Sequence, residues 1–203
     1  MDNNHSMMSR RRFAAGFALG SVALALPLPA LALTVGDAKA LIGKTVGEIN
    51  AIIGSGKSQT AMYGDFERVF SRYADVPAIA QRALGPSARQ ASRPQMAAFT
   101  KAFQGYISRK YGSRFREFIG GSIEVTDARQ LKSFYEVISV ASLKGQAPFD
   151  VRWHVSDKSG RNLFFNIIIE GVNMLASEQA EIGAMLDKRK GDINALTADL
   201  KTA

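Results

Sequence analysis

Phe149-Asp150-Val151-Arg152-Trp153-His154-Val155-Ser156 alternates apolar and polar residues without a break. Successive side chains of a β-strand point to opposite faces. The stretch therefore predicts a half-buried strand, with Phe149, Val151, Trp153 and Val155 inward and Asp150, Arg152, His154 and Ser156 outward. Asp157-Lys158-Ser159-Gly160 reads as the turn that follows, and Leu163–Ile169 as the next strand. Upstream, Ile123 and Val125 alternate with polar neighbours, and residues 134–143 are rich in β-branched and aromatic side chains. Together these predict a meander of about four antiparallel strands.

Before Gly120-Gly121 the period is helical. Leu41, Val46, Ile49 and Ile53 form a loose stripe that Gly54-Ser55-Gly56 ends. Met62, Phe66, Val69, Phe70 and Tyr73 share one face of a second helix over 62–73. Asp75 caps a third, with Pro77 in its first turn and Gly85-Pro86 after it. Ser92-Arg93-Pro94-Gln95 is a capping-box pattern. The helix it opens carries Phe99, Phe103, Tyr106, Ile107 and Tyr111 at spacings of three and four, a stripe that Phe115 and Phe118 extend. Helix returns from about Ser177. Helices, then a meander, then helix is an α+β order, with N-terminal helices and a C-terminal helix packed on one face of a twisted antiparallel sheet.

The N-terminus has a different character. Ser9-Arg10-Arg11-Arg12-Phe13 precedes an apolar run from Ala14 to Leu28, and Pro29-Ala30-Leu31-Ala32 ends it with small residues. This resembles a twin-arginine export signal, with a general secretory signal as the alternative, and a cut is expected after Ala32. The run is about 15 residues, short of the roughly 18 to 20 that span a bilayer. Residues 1–32 are thus read as a cleaved export signal and 33–203 as a single domain in the periplasm. The remaining 171 residues carry 23 basic and 17 acidic side chains, a net charge of +6. That balance suits a membrane surface or an acidic protein face, and export argues against nucleic acid.

Composition excludes much chemistry. The chain has no cysteine, and beyond His5 in the leader its one histidine is His154. Zinc sites normally use two or more His or Cys ligands; a carboxylate-only site stays open, but no clustered acidic loop of the calcium type is present, and neither a metal nor a cofactor is expected. Gly56-Lys57-Ser58 matches the end of a phosphate-binding loop, but Ala51 stands where that motif needs glycine, and a helix precedes it instead of a strand. Asp65 with Glu67, or Glu124 with Asp127, could pair as acid and base, yet nothing in the sequence joins them in a pocket. Arg109, Lys110, Arg114 and Arg116, with Arg82, Arg89 and Arg93 nearby, read as a solvated helix face or a docking face. What is in excess is apolar and aromatic surface, which serves a closed core and a lipid cavity equally well.

Asp65-Phe66-Glu67-Arg68, Tyr73-Ala74-Asp75-Val76-Pro77-Ala78-Ile79-Ala80 and Ala83-Leu84-Gly85 resemble the helical half of the MlaC/toluene-tolerance family. Phe99 through Tyr111 continues the match. Phe164-Phe165-Asn166-Ile167-Ile168-Ile169-Glu170-Gly171-Val172 is similar to that family's last strand and its Glu-Gly-Val exit. The resemblance implies a soluble periplasmic lipid carrier without catalytic residues, its acyl chains held in an apolar cavity between sheet and helices. It implies exchange with an outer-membrane lipoprotein complex and an inner-membrane ABC transporter complex, and transient contact with the membrane surface. The expected cavity residues are Phe70, Tyr73, Phe99, Phe103, Tyr106, Phe115, Ile138, Phe149, Val151, Trp153, Phe165, Ile167 and Ile169. Asn173-Met174-Leu175-Ala176-Ser177-Glu178 and Gly145-Gln146-Ala147-Pro148-Phe149 look more like the hopanoid-associated branch. Phospholipid is the first expectation and hopanoid the second. The rivals are a periplasmic enzyme acting on lipid or cell-wall material, with His154 or a carboxylate as base, and a non-catalytic envelope adaptor.

Overall fold

Thr34 starts the first helix. Its hydroxyl accepts from the Asp37 amide at 3.1 Å, and the Asp37 carboxylate accepts from the Thr34 amide at 3.2 Å. This reciprocal pair satisfies donors that a helix start leaves orphaned. The computed structural model describes residues 32–112 and 118–203, and Ala32–Ala203 form one compact unit. Helix α1 runs Val35–Ile53, α2 Gln59–Tyr73, α3 Val76–Leu84 and α4 Arg93–Gly112, with a short 3-10 turn at Gly85–Arg89. Ser58 caps α2 by accepting from Ala61, and Lys57 pairs with Asp65 at 2.7 Å. The Gly-Lys-Ser triplet is therefore a helix start and a salt bridge. Asp75 caps α3, and Ser92 and Gln95 exchange side-chain bonds at the start of α4, both as expected.

The sheet is an antiparallel meander of strands β1 Ser122–Gln130, β2 Tyr135–Ser142, β3 Phe149–Ser156, β4 Leu163–Ile169 and β5 Val172–Asn173, in that spatial order. The fifth strand, two residues long, is the addition to the four expected. It exists because Glu170 and Gly171 both take positive φ, 49° and 80°, between the paired residues Ile169 and Val172. Two central residues at positive φ make the hairpin turn that suits the natural twist of paired strands. The Glu-Gly-Val segment is thus a turn followed by an edge. Asn173 then caps α5, Met174–Lys188, which begins three residues earlier than Ser177. Asp192 caps α6, Ile193–Asp199.

Helix α1 lies on β1 and β2, α2 packs on α1 and α4, α4 also meets α6, and α5 packs on α3 and β4. Phe99, Phe103, Val137, Val155, Ile182 and Leu196 are fully buried at the centre of these contacts. Each such side chain stabilises the fold by roughly 1.5–3 kcal/mol relative to exposure. Helix α4 is described to Gly112, where a Cβ would come within 2.6 Å of the Tyr63 ring, so glycine there lets α4 and α2 approach. Phe118, the first described residue after Gly112, has 3-10 backbone. Residues 1–31 of the export segment fall outside the described residues, as do Arg114, Phe115 and Arg116.

Candidate functional site

A cavity of about 490 Å³ lies between the sheet and helices α1, α2, α4 and α5. The meander supplies Phe149, Val151 and Trp153 from β3 and Phe164, Ile167 and Ile169 from β4. The helices supply Ile49, Phe66, Val69, Phe70, Phe103 and Ile107. Strand register brings them together: Val151 stands opposite Ile169, and Trp153 opposite Ile167. Gln146, Glu170 and Val172 are exposed members of the lining, Val172 by 54%, and mark the open end.

Of the side chains expected there, Phe70, Phe103, Phe149, Val151, Trp153, Phe165, Ile167 and Ile169 line this space. Four do not, each for a local reason. Phe99 is fully buried and stacks on Phe103, with ring centroids 5.8 Å apart. The Tyr73 hydroxyl donates to Glu48 at 2.6 Å and ties α2 to α1. The Tyr106 hydroxyl donates to Glu181 on α5 at 2.5 Å. Ile138 pairs with Arg152 and so shares the outward face of the sheet, one residue out of phase with Val137 and Ser139. Phe115 falls outside the described residues.

Phe165 needs a further correction. A register shift between His154 and Val155 puts one extra residue into β4. A bulge of this kind breaks the two-residue alternation. Phe164 therefore meets Trp153 edge to face, at 5.3 Å between centroids. The Phe165 ring, though it touches the lining, packs on His154 and Phe134 and lies 4.6 Å beneath the Arg82 guanidinium.

The polar groups of the wall are nearly all paired. The Trp153 indole donates to Ser139, which donates to the Val151 carbonyl, both at 2.9 Å. Asn166 accepts from the amides of Ile167 and Leu175, which joins β4 to α5. Glu178 is 3% exposed and accepts from Lys110 at 2.7 Å and from the Tyr111 hydroxyl. Lys110 also donates to Glu181 at 2.5 Å. Burial and the bond to Glu181 push the Tyr106 phenol up to about 12. Burial alone would raise the Glu181 carboxyl, but the bonds from Lys110 and Tyr106 hold it below the usual value. Thr45, Phe164, Asn166 and Glu178 were not expected in the wall. A buried polar residue on a helix leaves no periodic mark.

His154 sits on the outer face with Glu136 at 3.7 Å, the Asn166 amide at 3.4 Å, and the Phe134 ring. Glu136 is itself held by Arg129 at 2.5 Å. Burial depresses His154, and Glu136 only partly offsets this. Asp65 is neutralised by Lys57 and Arg68, and Glu67 accepts from Gln104. Hydrogen bonding from Lys57 lowers the Asp65 carboxyl below its usual range, so it is poorly suited to general-base work. Among the described residues, no three His, Asp or Glu side chains converge as metal ligands would.

The basic helix face is also rearranged. Arg109 binds the carbonyls of Leu200 and Ala203, and Lys110 joins α4 to α5, so both serve the fold. A second hollow, about 1000 Å³, holds Arg82, Arg93, Lys101 and Lys158 around Phe134 and Phe165. Among the described residues none of these four cations has a carboxylate within 4.0 Å.

Helices folded over one face of an antiparallel meander, with an apolar cavity between, define a class of single-domain α+β proteins. The family model described as MlaC protein matches residues 43–202, and the chain belongs to that family. Among solved structures it resembles the phospholipid-binding protein from Ralstonia solanacearum, determined in complex with a phospholipid. The two are 18% identical; the match covers 80% of this chain and 98% of the other, with a TM-score of 0.67. At that identity the likeness is one of fold.

Proposed function

We propose that this protein is a non-catalytic periplasmic lipid carrier. The observation that carries the reading is the apolar cavity of about 490 Å³ in a chain of the MlaC family. An apolar space of that size is in the range of small-molecule sites, and filling it with an acyl chain removes the same kind of surface from water as core packing does. The Ralstonia solanacearum protein of the same fold is a phospholipid-binding one, which supports phospholipid as first ligand and leaves hopanoid second. Residues 1–32 are read as the export signal and 33–203 as the carrier.

The carrier takes lipid from one envelope membrane and delivers it to the other, through an outer-membrane lipoprotein complex and an inner-membrane ABC transporter complex. The cations Arg82, Arg93, Lys101 and Lys158, without a carboxylate partner among the described residues, support contact with anionic surfaces on the way. His154 packs against Phe134 and is engaged by Glu136 and Asn166, a structural setting that favours the carrier reading over the enzyme reading.

Native mass spectrometry of the purified protein tests the proposal. A bound mass of lipid size, lost on organic extraction, is expected, and its identification separates phospholipid from hopanoid. Protein that stays empty after incubation with vesicles of either lipid sinks the carrier reading.

A further inference from the structure

Glu178 is a buried carboxylate in the wall of a mostly apolar cavity, and only half of it is used. Both of its bonds, from Lys110 and Tyr111, fall on Oε1. Oε2 is buried and has no hydrogen-bond partner. Buried polar atoms are nearly always paired, because losing water without gaining a partner is costly. Joining α4 to α5 would need only the oxygen already engaged. Among the described residues, one ammonium, Lys110, is also shared between two carboxylates, Glu178 and Glu181. An acceptor without a partner calls for an incoming donor, not an incoming anion.

We infer that Glu178 is a recognition residue of the cavity, and that its Oε2 accepts a hydrogen bond from an N–H or O–H group of the bound amphiphile. The inference rests on the carrier reading and names the ligand chemistry within it. Acyl chains, ester carbonyls, phosphodiester oxygens and a trimethylammonium group bring no such donor. A primary ammonium headgroup or a hydroxyl close to an apolar body does. Selection of this kind is strong because a site built to accept a bond is left unpaired by a ligand that lacks it.

The test is competitive loading. The purified protein is incubated with vesicles holding equal amounts of phosphatidylethanolamine and phosphatidylcholine with identical acyl chains, then re-isolated and its lipid quantified. A second arm pairs a hydroxylated triterpenoid with its deoxy hydrocarbon, which separates a hydroxyl donor from an ammonium. Enrichment of the donor-bearing member by about fivefold or more is expected in at least one pair, and Glu178→Gln, which puts an amide donor in place of the acceptor, should bring it towards one. Wild-type protein labelled with carboxyl-¹³C glutamate gives a readout that needs no variant: the Glu178 resonance should move on loading with the enriched lipid and not with its donor-free counterpart. Equal uptake within both pairs, a preference that Glu178→Gln leaves untouched, or an unmoved resonance overturns the inference and leaves the carrier reading standing. No uptake of any lipid removes both.

Discussion

The indole nitrogen of Trp153 donates to the hydroxyl of Ser139 across two neighbouring strands, at 2.9 Å, in a spot closed to water. Trp153 is the largest side chain of the cavity wall, and its one polar atom would otherwise face an apolar space. Ser139 stands opposite Val151 in the register and donates onward to that residue's carbonyl. The relay lets a tryptophan line the cavity without an orphaned N–H.

Ser139→Ala is expected to cost about 1–3 kcal/mol, because it leaves the indole N–H buried without an acceptor. The urea midpoint should fall with an unchanged slope, since the same surface unfolds. A midpoint equal to wild type would mean that the indole finds another acceptor.

Filling the cavity separates a ligand space from a closed core. Val69→Phe and Leu175→Phe each add volume at lining positions. In a packed core such changes cost about 1–3 kcal/mol. Here they should leave the midpoint unchanged or raised while bound lipid falls severalfold by quantitative mass spectrometry. Val151→Arg, at a residue 5% exposed, and Ile167→Arg should reduce both lipid and stability, because an unpaired charge enters an apolar wall. Destabilised Phe variants with full lipid content would contradict the cavity.

The parts of this arrangement legible in the sequence are those with a period. β3 follows its alternation residue by residue, and the aromatic spacing of α4 reaches the core. The wall departs from the alternation where one residue breaks the count. The bulge in β4 adds Phe164 to the wall and turns the Phe165 ring toward His154, and no composition marks it, since both are phenylalanine. Phe99 and Tyr106 lie on the same helical stripe as Phe103. Spacing alone cannot separate the residue that meets a space from those that meet Phe103 and Glu181. Glu178 had no signal at all, because a glutamate on a helix normally faces water.

His154 makes stability depend on pH. Burial lowers its pKa from 6.5, and the Asn166 amide faces its Nδ1, which can accept only when unprotonated. The unfolded chain therefore binds a proton more readily than the folded one. The histidine's contribution is fully present above about 6.5, the unfolded value, and is lost as pH falls through that value towards the folded pKa. His154→Gln should flatten the difference in urea midpoint between pH 7 and pH 5 relative to wild type. An identical pH profile in the two proteins would assign the dependence to carboxylates alone.

Leu33 is held before α1 begins. Its amide donates to Asp157 at 3.2 Å, its carbonyl accepts from the Tyr135 hydroxyl at 2.5 Å, and its side chain is buried. A cut after Ala32 would turn that amide into an α-ammonium facing the Asp157 carboxylate, so a neutral hydrogen bond would become a charge-assisted one. The mature protein should begin at Leu33 by intact mass. Asp157→Asn should then cost the processed chain more than an uncut one carrying a few leader residues, with a difference of about 1 kcal/mol, limited by the exposure of Asp157. Replacing Arg10 and Arg11 by Lys should leave precursor inside the cell if the twin-arginine route is used. Normal export of that variant would assign the general secretory route, and equal losses from Asp157→Asn in the two chain lengths would place the mature N-terminus elsewhere.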